Sequence, residues 1–335
     1  MKKRYNNLSL YRIVATILVL QFHIFFICYP IDTGNLIFLS KFLQGLTALS
    51  GFLFSQRLIT DVKEFYLSRG KRILIPAIAV IGVILLWNLL FMLITSTYDA
   101  KIIFTSGRAF NGSLLIQPGN YYFLAYILVC YLITPILQRK DFWSVLVVII
   151  GFAIETIVGK WMEPLYIVTC YAAGYYVGAY AFKHYVDKDY TKSDIIRFTV
   201  LAILLGMSIF LSIYLREHYI FKGFNHIVKS FFLSLFGLTS VFLSMLLFKW
   251  MNRFEGFKVF EVTNPLSYYL FLFNQTFMVG ATNVASYVNE LWAKTLLVYL
   301  FVITFSLAFY FISKNHKQII EKIKHLNKNV DKIPN

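Results

Sequence analysis

Leu10-Tyr11-Arg12-Ile13-Val14-Ala15-Thr16-Ile17-Leu18-Val19-Leu20-Gln21-Phe22-His23-Ile24-Phe25-Phe26-Ile27-Cys28-Tyr29 is a run of about 20 mainly apolar residues, the length that spans a hydrocarbon core about 30 Å thick as a helix. Met1-Lys2-Lys3-Arg4 before it gives the look of a secretory signal. No small-residue cleavage site follows at Phe25-Phe26-Ile27-Cys28-Tyr29-Pro30, and more apolar runs come after it, so it reads as a retained first helix.

Working outward, similar windows recur near 10–29, 35–54, 73–95, 119–138, 142–158, 165–182, 196–215, 228–249, 264–284 and 292–313. Lys41 interrupts the second, the fifth is short, and the ninth carries Asn264, Asn274, Gln275 and Asn283. The composition agrees: 59% of the 335 residues are hydrophobic and 14% charged, against roughly 25% charged in a soluble domain. The expectation is an all-α, polytopic integral membrane protein of about ten transmembrane helices. Residues 1–313 form one transmembrane domain and 314–335 a basic cytoplasmic tail.

The formal charge of +16 raises nucleic acid as a partner, but the charges are in the wrong place. Most of the 32 Lys and Arg residues fall in alternate joints, at 1–9, 55–72, 139–141, 183–197, 249–263 and 314–335, which is a topology signal. This distribution predicts a multi-pass protein of the plasma membrane with both termini cytoplasmic, in contact with lipid and not with nucleic acid. In the tail, Ile319, Ile320, Ile323 and Leu326 share one side of a helix with lysines elsewhere, which suits either a helix on the inner leaflet or a solvated tail. Cys28, Cys130 and Cys170 fit no zinc or redox spacing, and neither a metal site nor a disulfide is expected. Asp187-Lys188-Asp189 mimics the metal-binding pair of a glycosyltransferase but sits in a short charged joint with no nucleotide fold around it, so it reads as solvated surface.

His184, His218, His226, His316 and His325 lie in joints or the tail. His23 lies within a span, where an ionisable group is costly and is a functional hypothesis by default. Arg12 precedes it by eleven residues, about 20° from three full turns and about 16 Å along the axis. The two therefore share a face, which should line a polar cavity with Arg12 at the cytoplasmic mouth. The bland alternative has Arg12 reaching the headgroups and His23 hydrogen-bonded inside the bundle. Arg69, Lys71 and Arg72 precede the third apolar window; topology alone expects such charges, but guanidinium groups also bind phosphate in bidentate fashion, which would hold a phosphorylated, nucleotide-like donor. Glu155 is the only carboxylate well inside a window, and either meets an acceptor hydroxyl or reaches the outer interface.

In these residues the chain resembles membrane acyltransferase family 3, the bacterial glycan O-acyltransferases. That family's first helix carries an Arg and a His eleven residues apart, here Arg12 and His23; its second ends in Leu-Ser-Gly-Phe-Leu, here Leu49-Ser50-Gly51-Phe52-Leu53. Its third follows an Arg-rich stretch leading to Ile-Pro, here Arg69 to Pro76. Tyr121-Tyr122-Phe123-Leu124 through Pro135 matches its Trp-Phe-Leu helix, with Tyr122 where Trp is usual. Ser267-Tyr268-Tyr269-Leu270-Phe271-Leu272-Phe273-Asn274-Gln275 matches a late helix in which Asn274 replaces the usual His; an amide there can still hydrogen-bond.

The resemblance implies ten helices and an O-acetyltransferase that uses acetyl-CoA, or another acyl-CoA such as succinyl-CoA, to modify a sugar hydroxyl of a cell-surface polysaccharide or lipid-linked glycan. Polysaccharide biosynthesis proteins are the expected partners. Arg12 and His23 would be catalytic, and Arg69, Lys71 and Arg72 would bind the donor. Ser50, Glu155 and Asn274 would either touch the acceptor or serve the structure. His23, with an unperturbed pKa near 6.5, would act as general base or carry the acyl group as a nucleophile. With no further domain in the sequence, the acyl group is expected to pass directly to its acceptor. A transporter of glycan or lipid-linked sugar without acyl transfer is the rival reading, and a non-catalytic scaffold a third.

Overall fold

The computed structural model describes residues 5–29, 36–95, 122–158, 166–182, 190–217, 225–254, 259–274, 276–278 and 284–330. The charged run Asp187-Lys188-Asp189, His184, His218 and Gln275 lie outside them, as do the side chains of residues 316–330, including Ile319, Ile320, Ile323 and Leu326.

Among the described residues every regular element is helical. The order is α1 (Asn6–Cys28), α2 (Ile37–Ser40), α3 (Phe42–Ser55), α4 (Val62–Thr95), α5 (Tyr122–Arg139), α6 (Phe142–Val158), α7 (Ile167–Tyr176), α8 (Lys192–Glu217), α9 (Asn225–Leu247), α10 (Val259–Phe273) and α11 (Leu291–Val330). A π-turn, Val177–Ala181, extends α7. Among the described residues six helical stretches are long and apolar enough to cross a bilayer, and Phe123–Arg139 and Phe142–Ile157 are shorter apolar helices. The protein is an all-α polytopic membrane protein. Its many exposed Ile, Leu, Val and Phe side chains suit a surface solvated by lipid.

The helix α3 sits at the centre, between α7 on one side and α9 on the other, with α1 against it. Small residues make these approaches close. A Cβ at Gly51 would overlap the Tyr171 carbonyl of α7, one at Gly174 would overlap the backbone at Ala48, and one at Gly237 of α9 would overlap the Lys41 carbonyl. Helices in lipid gain their association from such packing because apolar burial gives no preference for neighbour over solvent. Gly51 in the Leu-Ser-Gly-Phe-Leu run is therefore a contact point between helices.

The start of α1 is clamped by amides, at the end of the bundle hereafter called the near end. Asn7 Nδ2 donates to the Met245 carbonyl at 2.8 Å, and Asn6 Nδ2 to the Met251 and Phe254 carbonyls at 3.1 and 3.2 Å. Asn264 Nδ2 of α10 donates to Ser9 Oγ at 2.7 Å. At the same end, Thr191 and Asp194 cap α8 reciprocally. The Asp194 carboxylate also pairs with buried Lys249 at 2.6 Å and with Arg197 at 3.1 Å, so α8 is pinned to the end of α9.

Three boundaries differ from the sequence reading. The third window begins in a helix that starts at Val62, so Arg69, Lys71 and Arg72 lie within α4; the exposed first turns carry the charges and the bilayer takes the remainder. The ninth shifts toward the near end and stops at Phe273, where Asn274 enters a turn. The last helix runs unbroken to Val330, so the tail expected from residue 314 begins as its continuation. The junction at Lys41 matches its sequence signal: α2 ends at Ser40 and α3 starts at Phe42.

Candidate active site

The residues that gather at the near end come from three helices. The buried face of α4 is set by Phe65, Ile73, Ala77, Val80 and Ile84, a helical repeat on which Arg69 falls between Phe65 and Ile73. Its guanidinium lies over the Phe54 ring at 4.9 Å and the Phe65 ring at 5.8 Å. These cation–π contacts orient the charge, and Nε of Arg69 is buried with no hydrogen-bond partner. Arg72, about 60° round the helix from Arg69, is exposed, and Lys71 is about 160° from Arg69.

Arg12 on α1 lies within electrostatic reach of Arg72 and of Tyr131 on α5, and Arg69 within reach of Tyr131, Arg72, Arg57 and Tyr171. Among the described residues the ion pairs are Arg139 with Asp141, and Asp194 with both Arg197 and Lys249. None reaches this cluster. Among the described residues none of the three guanidinium groups is ion-paired, although Asp61 and Glu64 line the crevice that Arg69 borders, and such a gathering of positive charge favours an anion.

Lys71 stands apart. Exposed like Arg72, it instead lines a surface hollow with Asp61, Lys63, Glu64, Leu67 and Ser68. A second crevice, of about 200 Å³, opens at the α3–α4 joint, where Phe54, Arg57, Phe65 and Arg69 line it together with the carboxylates of Asp61 and Glu64, so the Arg69 stack borders the surface.

His23 lies deeper along the same face of α1, about 16 Å from Arg12 by helical rise. Its Nδ1 is buried and makes no hydrogen bond of good geometry, although the Val19 carbonyl one turn earlier acts on the ring. Near it, Gln21 Oε1 accepts from Tyr299 Oη of α11 at 2.7 Å. The Ser9–Asn264 bond sets α1 and α10 in register, and ten residues further along lie Val19 and Asn274, one turn short of His23. The end of α10 and the turn at Asn274 therefore come nearly level with His23. Asn274 is buried there. Non-helical backbone at membrane depth requires protein or a water-filled cavity around it.

The family model described as "Acyltransferase domain" matches residues 5–312. The chain belongs to that acyltransferase family. No curated protein and no solved structure matches it. The matched span takes in every residue placed above, so the arginine cluster and His23 belong to the acyltransferase domain itself.

The other candidates of this acyltransferase have visible structural work. Glu155 at the far end of α6 accepts from the Val168 N–H at 2.9 Å, the Thr169 N–H at 3.1 Å and Thr169 Oγ1 at 2.6 Å. Its carboxylate caps the start of α7, satisfying donors that a helix start leaves unpaired. Ser50 Oγ donates to the Leu46 carbonyl at 3.0 Å within α3. Cys28, Cys130 and Cys170 are free.

Sequence reading missed the aromatic seat of Arg69 and the presence of Tyr131. Phe65 carried a signal, being four residues before Arg69 on one helix face. Phe54 and Tyr131 carried none, because α3 and α5 meet α4 only through the tertiary fold.

Proposed function

We propose that this membrane acyltransferase moves an acyl group, acetyl in the simplest case and succinyl as the alternative, from acyl-CoA to a hydroxyl of a cell-surface polysaccharide or lipid-linked glycan. In this reading the protein lies in the plasma membrane with both termini and the near end facing the cytoplasm, where acyl-CoA is held. The observation that carries it is the spacing of two groups: the Arg12–Arg69–Arg72 cluster at the mouth and His23 about 16 Å deeper than Arg12 on the same face of α1. A donor served by both must keep its phosphates and its acyl carbon that far apart. The extended pantetheine arm of CoA, about as long as four to five extended residues, does so; an acyl phosphate does not.

The arginines hold the phosphates, and the aromatic seat fixes Arg69. His23 takes the proton from the acceptor hydroxyl as its oxygen attacks the thioester carbonyl. The C–S bond breaks, and the proton passes to the departing thiolate to give CoA. General-base help of this kind contributes about 10² to 10⁴ in rate.

Replacing His23 by Ala or by Gln tests the reading. Both variants should lose ester-linked acyl groups on the glycan, while polymer amount and export stay normal and the protein remains in the membrane. Full acylation with His23→Gln, which keeps polarity without basicity, would remove the catalytic role; loss of exported polymer would favour transport.

A further inference from the structure

Tyr131 has no part in the reaction as described so far, yet it stands among the groups that do. Its ring meets Phe54 edge-on at 5.2 Å and Phe65 at 6.4 Å, the same two rings that carry the Arg69 guanidinium. Four side chains from α3, α4 and α5 thus form one cluster. Tyr131 also lies within electrostatic reach of Arg69, Arg72 and Arg12 together.

Neighbouring phenols are anchored. Tyr66 donates to the Leu132 carbonyl at 2.9 Å, Tyr171 bonds Thr134 Oγ1 at 2.6 Å, and Tyr268 donates to the Ile73 carbonyl at 2.8 Å. The Tyr131 hydroxyl has no hydrogen bond among the described residues. Its oxygen is not sealed in the bundle, so it is open to a partner that enters the cluster. Pure packing would be served by Phe. What distinguishes this hydroxyl is its setting: it is a donor among cations that themselves only donate, so the partner that satisfies all of them is an anion with several acceptor oxygens.

We propose that Tyr131 is a donor-binding residue whose hydroxyl hydrogen-bonds a phosphate oxygen of the acyl donor, alongside Arg12, Arg69 and Arg72. The inference rests on the reading that the donor's phosphates occupy the arginine cluster. Tyr131→Phe keeps the ring against Phe54 and Phe65, and so keeps Arg69 seated, while deleting the one oxygen at issue.

The test uses the purified full-length protein in detergent, with coenzyme A as the binding probe and inorganic pyrophosphate as competitor. Losing a hydrogen bond to a charged group predicts a Kd for coenzyme A about tenfold higher in Tyr131→Phe. Competition by pyrophosphate should weaken in step, KM for acyl-CoA should rise, and kcat and the unfolding temperature should hold. Wild-type affinity in Tyr131→Phe beside weakened binding in Arg69→Ala overturns the role of Tyr131 and leaves the donor site standing. Wild-type affinity in both variants overturns the donor site itself. A lowered unfolding temperature with unchanged affinity in the folded fraction assigns Tyr131 to packing and also overturns the proposal.

Discussion

Replacing Glu155 by Ala should destabilise the protein without touching the chemistry. The carboxylate, only 8% exposed, receives the Val168 and Thr169 N–H groups and the Thr169 hydroxyl. Deleting it leaves those donors facing the bundle. Hydrogen bonds to charged groups contribute about 1.5–3 kcal/mol each and an unsatisfied buried donor costs about 1–3 kcal/mol. With partial relaxation, the total comes to about 3–5 kcal/mol. For a chain of this size that is a fall of roughly 5–10 °C in unfolding temperature. Glu155→Gln retains a carbonyl acceptor and should lose about half as much. The assay is thermal unfolding in detergent, paired with acyl transfer per mole of folded protein below the transition. A Glu155→Ala protein that melts like wild type but no longer transfers acyl groups would refute the capping role and make Glu155 a substrate contact.

Two further substitution sets follow from the geometry. Arg69→Ala and Arg72→Ala should raise KM for acyl-CoA by about tenfold or more, since each removes a charged hydrogen-bonding group, whereas Lys71→Ala, on the far side of α4 from Arg69, should change it little; steady-state kinetics in membranes of matched protein content read the difference, and equal losses in all three would count against a specific cluster. Gly51→Ala should cost about 1–3 kcal/mol or more, the range for overpacking, because its Cβ meets the Tyr171 backbone. Gly82→Ala, with open space around it, should be neutral or slightly stabilising by helix propensity. Unfolding temperatures of the two compared with wild type decide this, and equal stability would mean that α3 and α7 separate more easily than their contact implies.

Much of this protein was written in its sequence because a bilayer imposes one-dimensional rules. Apolar runs of about 20 residues must be helical, since lipid offers no hydrogen bonds to an open backbone, and this made the class, the approximate spans and the break at Lys41 readable from residue order. The shared face of Arg12 and His23 came from helical periodicity alone. Tertiary structure decided everything that needed a second helix. It put Arg69 onto Phe54 and Phe65, brought Arg12 of α1 toward Arg72 and Tyr131, and set Arg72 rather than the equally exposed Lys71 within reach of Arg12 and Arg69. It also turned Glu155 into the cap of α7 and Gly51 into a contact with Tyr171. The physical reason is that charge and hydrophobicity are properties of a residue, legible one position at a time. A binding group is a property of distances between residues far apart in sequence, and those distances are set by which helices pack and at what height.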